Sequence, residues 1–176
     1  MNRFFGYGSL VNRRTHAYPN LTRHTVTGWR RAWRHTPLQE AAFLTAVPDT
    51  ASEIDGVTAD VPGGDWAALD LREAAYVRTP LSDGTRIYHI PEKMHGPAPR
   101  THPILLSYLD VVVQGFLTEF GATGVARFFD TTDGWDAPIR NDRDVPIYPR
   151  AQTLSLEEQA IVDENLARIG AIARVS

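Results

Sequence analysis

Cysteine is absent from this chain of 176 residues. That excludes a disulfide framework, a thiolate metal site and a cysteine nucleophile. Lysine is nearly absent too: Lys93 is the only one, and arginine carries almost all the positive charge. Nor is positive charge in excess. The formal net charge is −3, against the basic balance of a nucleic-acid binder, so no nucleic-acid partner is expected. Long apolar runs are missing. The most apolar stretch, Ile104 to Leu117, is interrupted by Ser107, Asp110 and Gln114 and is too short to span a bilayer, so no membrane partner is expected. The opening residues, MNRFFGYGSL, lack the apolar core and small-residue cleavage site of a secretory signal, which makes a cytoplasmic location the expectation. The six histidines (His16, His24, His35, His89, His95 and His102) show no i, i+4 helical spacing and join no carboxylate-rich cluster. No metal is expected. P-loop and dinucleotide fingerprints are absent, and Gly6-x-Gly8 has neither a third glycine nor a following helix.

What is present reads as a globular chain, with 43% hydrophobic and 22% charged residues. The first ninety residues are short apolar runs broken by turn residues. The expected strands are Arg3–Tyr7, Val26–His35, Ala42–Val47, Glu53–Val61, Tyr76–Leu81 and Arg86–Ile90. Turn signals sit at Pro48-Asp49, at Pro62-Gly63-Gly64-Asp65 and at Ser82-Asp83-Gly84. Many short strands with one helix inserted suggest a small barrel or strongly curved sheet rather than a parallel βαβ array. The inserted helix is expected over Trp66–Ala75, with the Asp65 carboxylate capping its first turn. Pro103 fits the first turn of a long, largely buried helix ending near Gly121. A short strand at Val125–Phe129 is expected next. A last helix starts at Ser155, where Ser155-Leu-Glu-Glu158 reads as a capping box, and carries Val162, Leu166, Ile169 and Ala173 on one face. The expected fold is thus α+β: a small mixed β-barrel with one inserted helix and two C-terminal helices. We expect a single domain over 1–176, with residues 1–92 as the barrel core and 93–176 as a helical extension packed on it.

Two local features stand out against this background. In the opening stretch FFGYGSL, Phe4, Phe5, Tyr7 and Leu10 favour a half-buried strand, yet Gly6 and Gly8 weaken it. Glycines so placed mark a bulge, a barrel corner or a close approach of backbone to a ligand. In the inserted helix, Trp66, Leu69 and Glu73 fall on one face at i, i+3 and i+7, with Tyr76 extending it. A carboxylate aimed among large apolar residues has a raised pKa unless well paired, and is a candidate general acid or base. Taken alone, the pattern is best read as a Glu73 at the edge of the stripe, paired with Arg72, Arg78 or solvent. Asp70, one turn earlier, is the other carboxylate that this helix offers.

Together the two features resemble the γ-glutamylcyclotransferase-like superfamily, which includes γ-glutamylcyclotransferases, γ-glutamylamine cyclotransferases and ChaC-type glutathione-degrading enzymes. The resemblance rests on Tyr7-Gly8-Ser9-Leu10 on the first strand, on Leu69-Asp70-Leu71-Arg72-Glu73 followed by Tyr76, and on the strand Gly28-Trp29-Arg30-Arg31. It covers roughly residues 3 to 90. It implies a mixed barrel with a cavity and a γ-glutamyl substrate whose own α-amine attacks its γ-carbonyl, releasing 5-oxoproline and an amine or amino acid. It further implies Glu73 as the general acid/base, a γ-glutamyl group cradled by Tyr7, Gly8, Ser9 and Leu10, with Tyr76 nearby, and no cofactor. Only Ala74-Ala75 separate Glu73 from Tyr76, fewer residues than is common in the family, which leaves open whether Tyr76 reaches the pocket. The alternatives are a non-catalytic small-ligand-binding module on the same fold, or a different amide-processing reaction on that scaffold.

The second half carries no such resemblance. Ser107, Asp110 and Gln114 form a polar stripe at i, i+3 and i+7 of an apolar helix, best read as a narrow solvent-facing strip, with a pocket lining as the other possibility. Arg140-Asn141-Asp142-Arg143-Asp144 reads as a surface ion-pair network rather than a carboxylate clamp. Tyr148-Pro149-Arg150 reads as a fixed loop. Oligomeric state is not legible.

Overall fold

A computed structural model describes residues 2–91, 93, 101–172 and 175–176. The chain starts in β1 (Arg3–Gly6), leaves the sheet through 3-10 turns at Ser9–Val11 and Arg13–Thr15, and returns as β2 (Thr22–Arg34) and β3 (Phe43–Asp60). A short turn leads to α1 (Ala67–Arg72), β4 (Val77–Pro80) and β5 (Arg86–His89). The second half comprises β6 (Ile104–Leu105), α2 (Leu106–Asp130), β7 (Thr132–Asp133), β8 (Ile139–Arg140) and α3 (Leu156–Arg168).

Six strands form one mixed sheet in the order β4-β5-β1-β3-β2-β7. β1 pairs antiparallel with β3 and parallel with β5. β6 and β8 form a separate two-stranded parallel sheet. The α+β class stands, but the barrel does not: β4 and β7 are two open edges that do not meet. β7 is only two residues long and β4 ends in Pro80, so neither edge offers the ladder that closure needs.

The sheet is also less broken than the sequence suggests. Ala42–Val47 and Glu53–Val61 belong to a single strand of 18 residues. The turn signal Pro48-Asp49 is absorbed by a bulge. The register shifts between Thr27 and Trp29, Pro48 lies opposite Trp29, and Gly28 takes a φ of +83°. Glycine adopts that φ cheaply, and a proline without its N–H is tolerated where a ladder is interrupted.

The helices require three corrections. α1 spans six residues rather than ten; the Asp65 carboxylate still accepts from the Ala67 amide (3.1 Å), but Trp66 is the boundary residue. Pro103 precedes β6 instead of opening the long helix, which begins at Leu106. That helix breaks at Gly121 (φ +69°, ψ −172°), near its expected end, then resumes. Val125–Phe129 is therefore helical, not a strand. At helical spacing Val125, Phe128 and Phe129 share a face, and all three are buried, with Phe128 tilted against Phe116 and Phe129 stacked on Trp135. α3 has the expected capping box between Ser155 and Glu158 and buries Val162 and Leu166; Ala173 lies outside the described residues, as does His95.

Two apolar clusters organise the packing. The larger joins the inner face of β2 and β3 to α2 and α3, through residues such as Trp33, Leu44, Ile54, Val112, Phe116 and Leu166. The smaller gathers Phe4, Leu10, Ala59, Val61, Leu69 and Tyr88, with Trp66 and Tyr76 against it. Leu69 is the helix residue that anchors α1 in this second cluster, and so it fixes where Glu73 points.

Candidate active site

The loop after β1 is held from several sides. Its ladder with β3 ends at Gly6, and the backbone then turns toward α2. The Tyr7 carbonyl accepts from Arg31 Nε (3.1 Å), whose guanidinium is fully buried, donates to the carbonyl of Asp55 and to Thr131 Oγ1 (2.6 Å), and lies over the rings of Phe116 and Phe128. Burial pulls the Arg31 guanidinium down to about 9, which still leaves it charged at neutral pH. The Tyr7 hydroxyl donates to the Tyr88 carbonyl (2.6 Å) and accepts from the Ala46 amide (3.1 Å). His16 braces the far side. The Tyr18 amide donates to its Nδ1 (3.2 Å), so Nε2 carries the proton and donates to the Leu10 carbonyl (2.9 Å). Burial lowers the His16 pKa and keeps the ring neutral.

Gly8 is a position of close approach. A Cβ there would lie 2.8 Å from the Tyr108 hydroxyl and 3.4 Å from Leu44 Cδ2. The loop thus meets the Tyr108 side chain of α2 with no side chain of its own at this position. The 3-10 turn that follows leaves its first amides without acceptors inside the turn.

Glu73 is the first residue beyond α1. Its carboxylate is largely buried and pairs with Arg72 Nε at 3.1 Å. Arg72 in turn donates to the Thr15 carbonyl (2.8 Å) and to Ser9 Oγ (3.2 Å), so α1 and the 7–10 loop are stitched together by one guanidinium. Burial raises the Glu73 pKa, and the charges of Arg72 and Arg150 oppose it in part. Glu73 thus pairs with Arg72, as one sequence reading has it, and it also lines a cavity. Asp70 does not. It accepts from the Tyr88 hydroxyl and pairs with Arg78 at 3.5 Å.

Tyr76 does reach the pocket. The Tyr76 amide donates to the Glu73 carbonyl (2.8 Å), closing a tight turn, and its hydroxyl donates to the Leu44 carbonyl (2.9 Å). The short spacing is offset by the early end of α1.

These residues border two connected spaces. An outer cavity of about 460 Å³ is lined by Ser9, Leu44, Glu73, Tyr76, Tyr108 and others, including Tyr148 and Arg150. A recess of about 30 Å³ lies against the backbone of residues 6–10, and Ser9, Leu44, Glu73, Tyr76 and Tyr108 line it as well. Tyr7, Gly8, Ser9, Leu10, Glu73 and Tyr76 are thus brought to one place. Tyr108 is a participant that sequence reading misses; its one signal is an aromatic hydroxyl beside Ser107, at the start of the polar stripe on α2. Among the described residues, no group of His, Asp and Glu is arranged to hold a metal ion, and no helix is long and apolar enough to cross a membrane.

The second half supplies the outer wall and revises two expectations. Ser107, Asp110 and Gln114 are buried, and they face protein rather than solvent. Asp142, itself buried, accepts from the Ser107 amide (2.8 Å) and hydroxyl (2.6 Å). Arg143 grips Asp110 through two 2.8 Å bonds. Gln114 accepts from Asn12 Nδ2 (3.0 Å) and donates to Glu158 (3.1 Å). Within the 140–144 run, Asp142 and Arg143 therefore form an internal clamp rather than a surface network, while Arg140, Asn141 and Asp144 are exposed. The clamp positions Tyr148, whose ring packs edge-on against Tyr108 at 4.9 Å.

Among solved structures, a γ-glutamyl cyclotransferase superimposes over 92% of this chain and 98% of its own, at TM-score 0.52 and 14% identity. This chain has the γ-glutamyl cyclotransferase fold. An uncharacterised protein from Homo sapiens shares it over 91% of this chain and 96% of its own, at TM-score 0.53 and 14% identity. No family model matches the sequence, and no curated protein matches it. Within this cyclotransferase fold, the likeness extends through the second half, where sequence gave no resemblance. At 14% identity it speaks for the fold, and the chemistry has to be argued from the site.

Proposed function

We propose that the protein is a γ-glutamyl cyclotransferase, which converts a γ-glutamyl amide into 5-oxoproline and a free amine or amino acid. The observation that carries this reading is the Glu73 carboxylate, buried at the junction between a substrate-sized cavity and a recess walled by backbone. Ring closure is intramolecular, so holding the γ-glutamyl chain in a bent conformation lowers much of the barrier. Glu73 takes a proton from the substrate α-ammonium. The freed amine attacks the γ-carbonyl carbon, and the new C–N bond forms as negative charge gathers on the oxygen. Collapse of that intermediate breaks the original amide bond; Glu73 returns the first proton to the departing nitrogen, then takes the second from the new ring nitrogen and passes it on, so that the leaving group departs as an ammonium and the lactam nitrogen keeps one hydrogen. Atoms balance without water or a cofactor. The recess has room for about one oxygen atom, and backbone donors of the 7–10 loop are suited to a developing oxyanion there. A base with a raised pKa is matched to this exchange near neutral pH.

The Arg72–Glu73 ion pair favours a second reading, a binding module with no turnover, because a paired carboxylate is a weaker base. Incubation with γ-glutamyl-alanine, a γ-glutamylamine and glutathione, with 5-oxoproline measured, separates the two. We expect release from at least one compound and a loss of about 10²- to 10⁴-fold in Glu73→Gln, with the melting temperature retained. Release that survives in Glu73→Gln removes Glu73 from the mechanism. Binding without release from any of the three leaves the second reading.

A further inference from the structure

Charge is distributed unevenly across the two connected spaces. No arginine lines the inner recess. The outer cavity is lined by three, Arg72, Arg140 and Arg150, against two carboxylates, Glu40 and Glu73. Arg72 is committed to Glu73, Ser9 and Thr15. Neither Arg140 nor Arg150 is in salt-bridge contact with a carboxylate among the described residues. Arg140 ends the short strand β8. Arg150 is the third residue of a turn closed by the Ala151 amide on the Tyr148 carbonyl (3.0 Å), and Tyr148 is itself packed on Tyr108. From this turn Arg150 lines the cavity, and on its other side it borders a hollow shared with Thr15, Tyr18 and Arg72.

We propose that Arg150, together with Arg140, binds a carboxylate on the leaving half of the substrate, so that the released compound is an amino acid or a peptide rather than a simple amine. This rests on the γ-glutamyl reading above. The recess has room only for the carbonyl oxygen, so both halves of the substrate lie in the outer cavity, where Arg140 and Arg150 are one guanidinium more than the single α-carboxylate of the γ-glutamyl half requires. A planar fork of donors matches a carboxylate in two bonds, and does so best in a partly desolvated cavity. Overall charge agrees. A γ-glutamyl amino acid carries one ammonium and two carboxylates, a net single negative charge, whereas a γ-glutamylamine with an alkyl leaving group is a neutral zwitterion. A cavity with one cation in excess complements the first. Arg150 is also near enough to depress the Glu73 pKa, so a carboxylate bound to it would relieve that influence at the moment a base is needed.

The test compares γ-glutamyl-alanine with γ-glutamyl-ethylamide, which lacks only the leaving carboxylate and the alanine stereocentre. Binding is measured calorimetrically on the Glu73→Gln protein, where nothing turns over, and 5-oxoproline release on the unsubstituted protein. We expect γ-glutamyl-alanine to bind at least tenfold more tightly. Arg150→Met should weaken it by about tenfold to a hundredfold and leave γ-glutamyl-ethylamide within twofold. Arg150→Lys, which keeps the charge and loses the fork, should recover part of the loss, and this also guards against a folding defect in the Met variant. An equal loss for both compounds overturns the proposal, since the arginine would then hold the α-carboxylate that both share. Equal affinities in the unsubstituted pair overturn it, as does a preference that survives both Arg150→Met and Arg140→Met. A preference without turnover sinks the cyclotransferase reading alone. Turnover without a preference sinks this inference alone, and failure of both compounds to bind or react sinks both.

Discussion

Two opposing effects act on the Glu73 carboxyl. Burial raises its pKa, and the adjacent Arg72 lowers it through charge and a hydrogen bond. Burial wins. A base must be ionised to accept a proton, so turnover should rise with pH as Glu73 loses its own, along an acid limb above the ordinary carboxylate range. The stability consequence has the opposite sign. The folded state keeps this proton to higher pH than the unfolded chain, so the contribution of Glu73 to stability falls as pH rises from the ordinary carboxylate range through the raised value. Arg72→Met removes the two strongest influences holding the carboxyl down. The acid limb of kcat/KM against pH should therefore move further up. Arg72 also ties Ser9 and Thr15, but loosening those contacts would lower kcat/KM at every pH and leave the limb where it was. An acid limb that stays put or moves down contradicts the assignment of Glu73 as the titrating base.

At the scale of elements, α2 and the loop after β1 define the back of the site, and they meet with almost no space between them. A Cβ on Gly115 would come within 2.7 Å of the Asn12 backbone nitrogen. The Asn12 amide side chain donates to the Val111 carbonyl (2.9 Å) and to Gln114 (3.0 Å). Backbone cannot yield as a flexible side chain can, so Gly115→Ala should push the loop off the helix. We expect a loss of about 1–3 kcal/mol in stability, read by denaturant titration, and a fall in kcat/KM at temperatures where the variant remains folded. A variant as stable as the parent would mean that loop and helix can slide apart freely. Such contacts were not legible in the sequence, because a glycine in a buried helix does not announce what it faces. Glu73 and the 7–10 loop stood out as candidates, the first only once the family resemblance was joined to its place after Leu69-Asp70-Leu71-Arg72, the second from glycines in an aromatic strand. The errors have physical causes as well. Val125–Phe129 is rich in β-branched and aromatic residues, which favour strands intrinsically, and tertiary burial against Phe116 and Trp135 overrode that preference. The polar stripe on α2 looked solvent-facing because its partners, Asp142 and Arg143, lie 35 and 33 positions further on, beyond the reach of any periodicity.

For the molecule as a whole, the segment after β8 links α2 to α3 and carries Tyr148 and Arg150 to the cavity. Its strongest tie is Arg143, which bonds Asp110 on α2 and Asp163 on α3. Asp110 is buried, and burial raises its pKa against the pull of Arg143, with Asp163 and Asp142 adding to the rise. Arg143→Met would leave that carboxylate without a counter-charge, at a cost of about 3–5 kcal/mol. At about 2–4 °C per kcal/mol for a chain of this size, the melting temperature at neutral pH should fall by about 6 °C or more. Arg30→Met, which breaks the pair with the half-exposed Asp133, provides the contrast: about 0–1 kcal/mol, and a shift of at most a few degrees. The pH dependence separates an uncompensated charge from a simple packing defect. Without Arg143, the Asp110 pKa rises further. Acid then neutralises the exposed liability, so the deficit of Arg143→Met relative to the parent should shrink as pH is lowered from 7 toward 5. A packing defect would leave the deficit constant over that range. If the deficit instead grows in acid, Asp110 is not the group left uncompensated, and the tie between α2 and this segment has to be sought in Asp142 and Ser107.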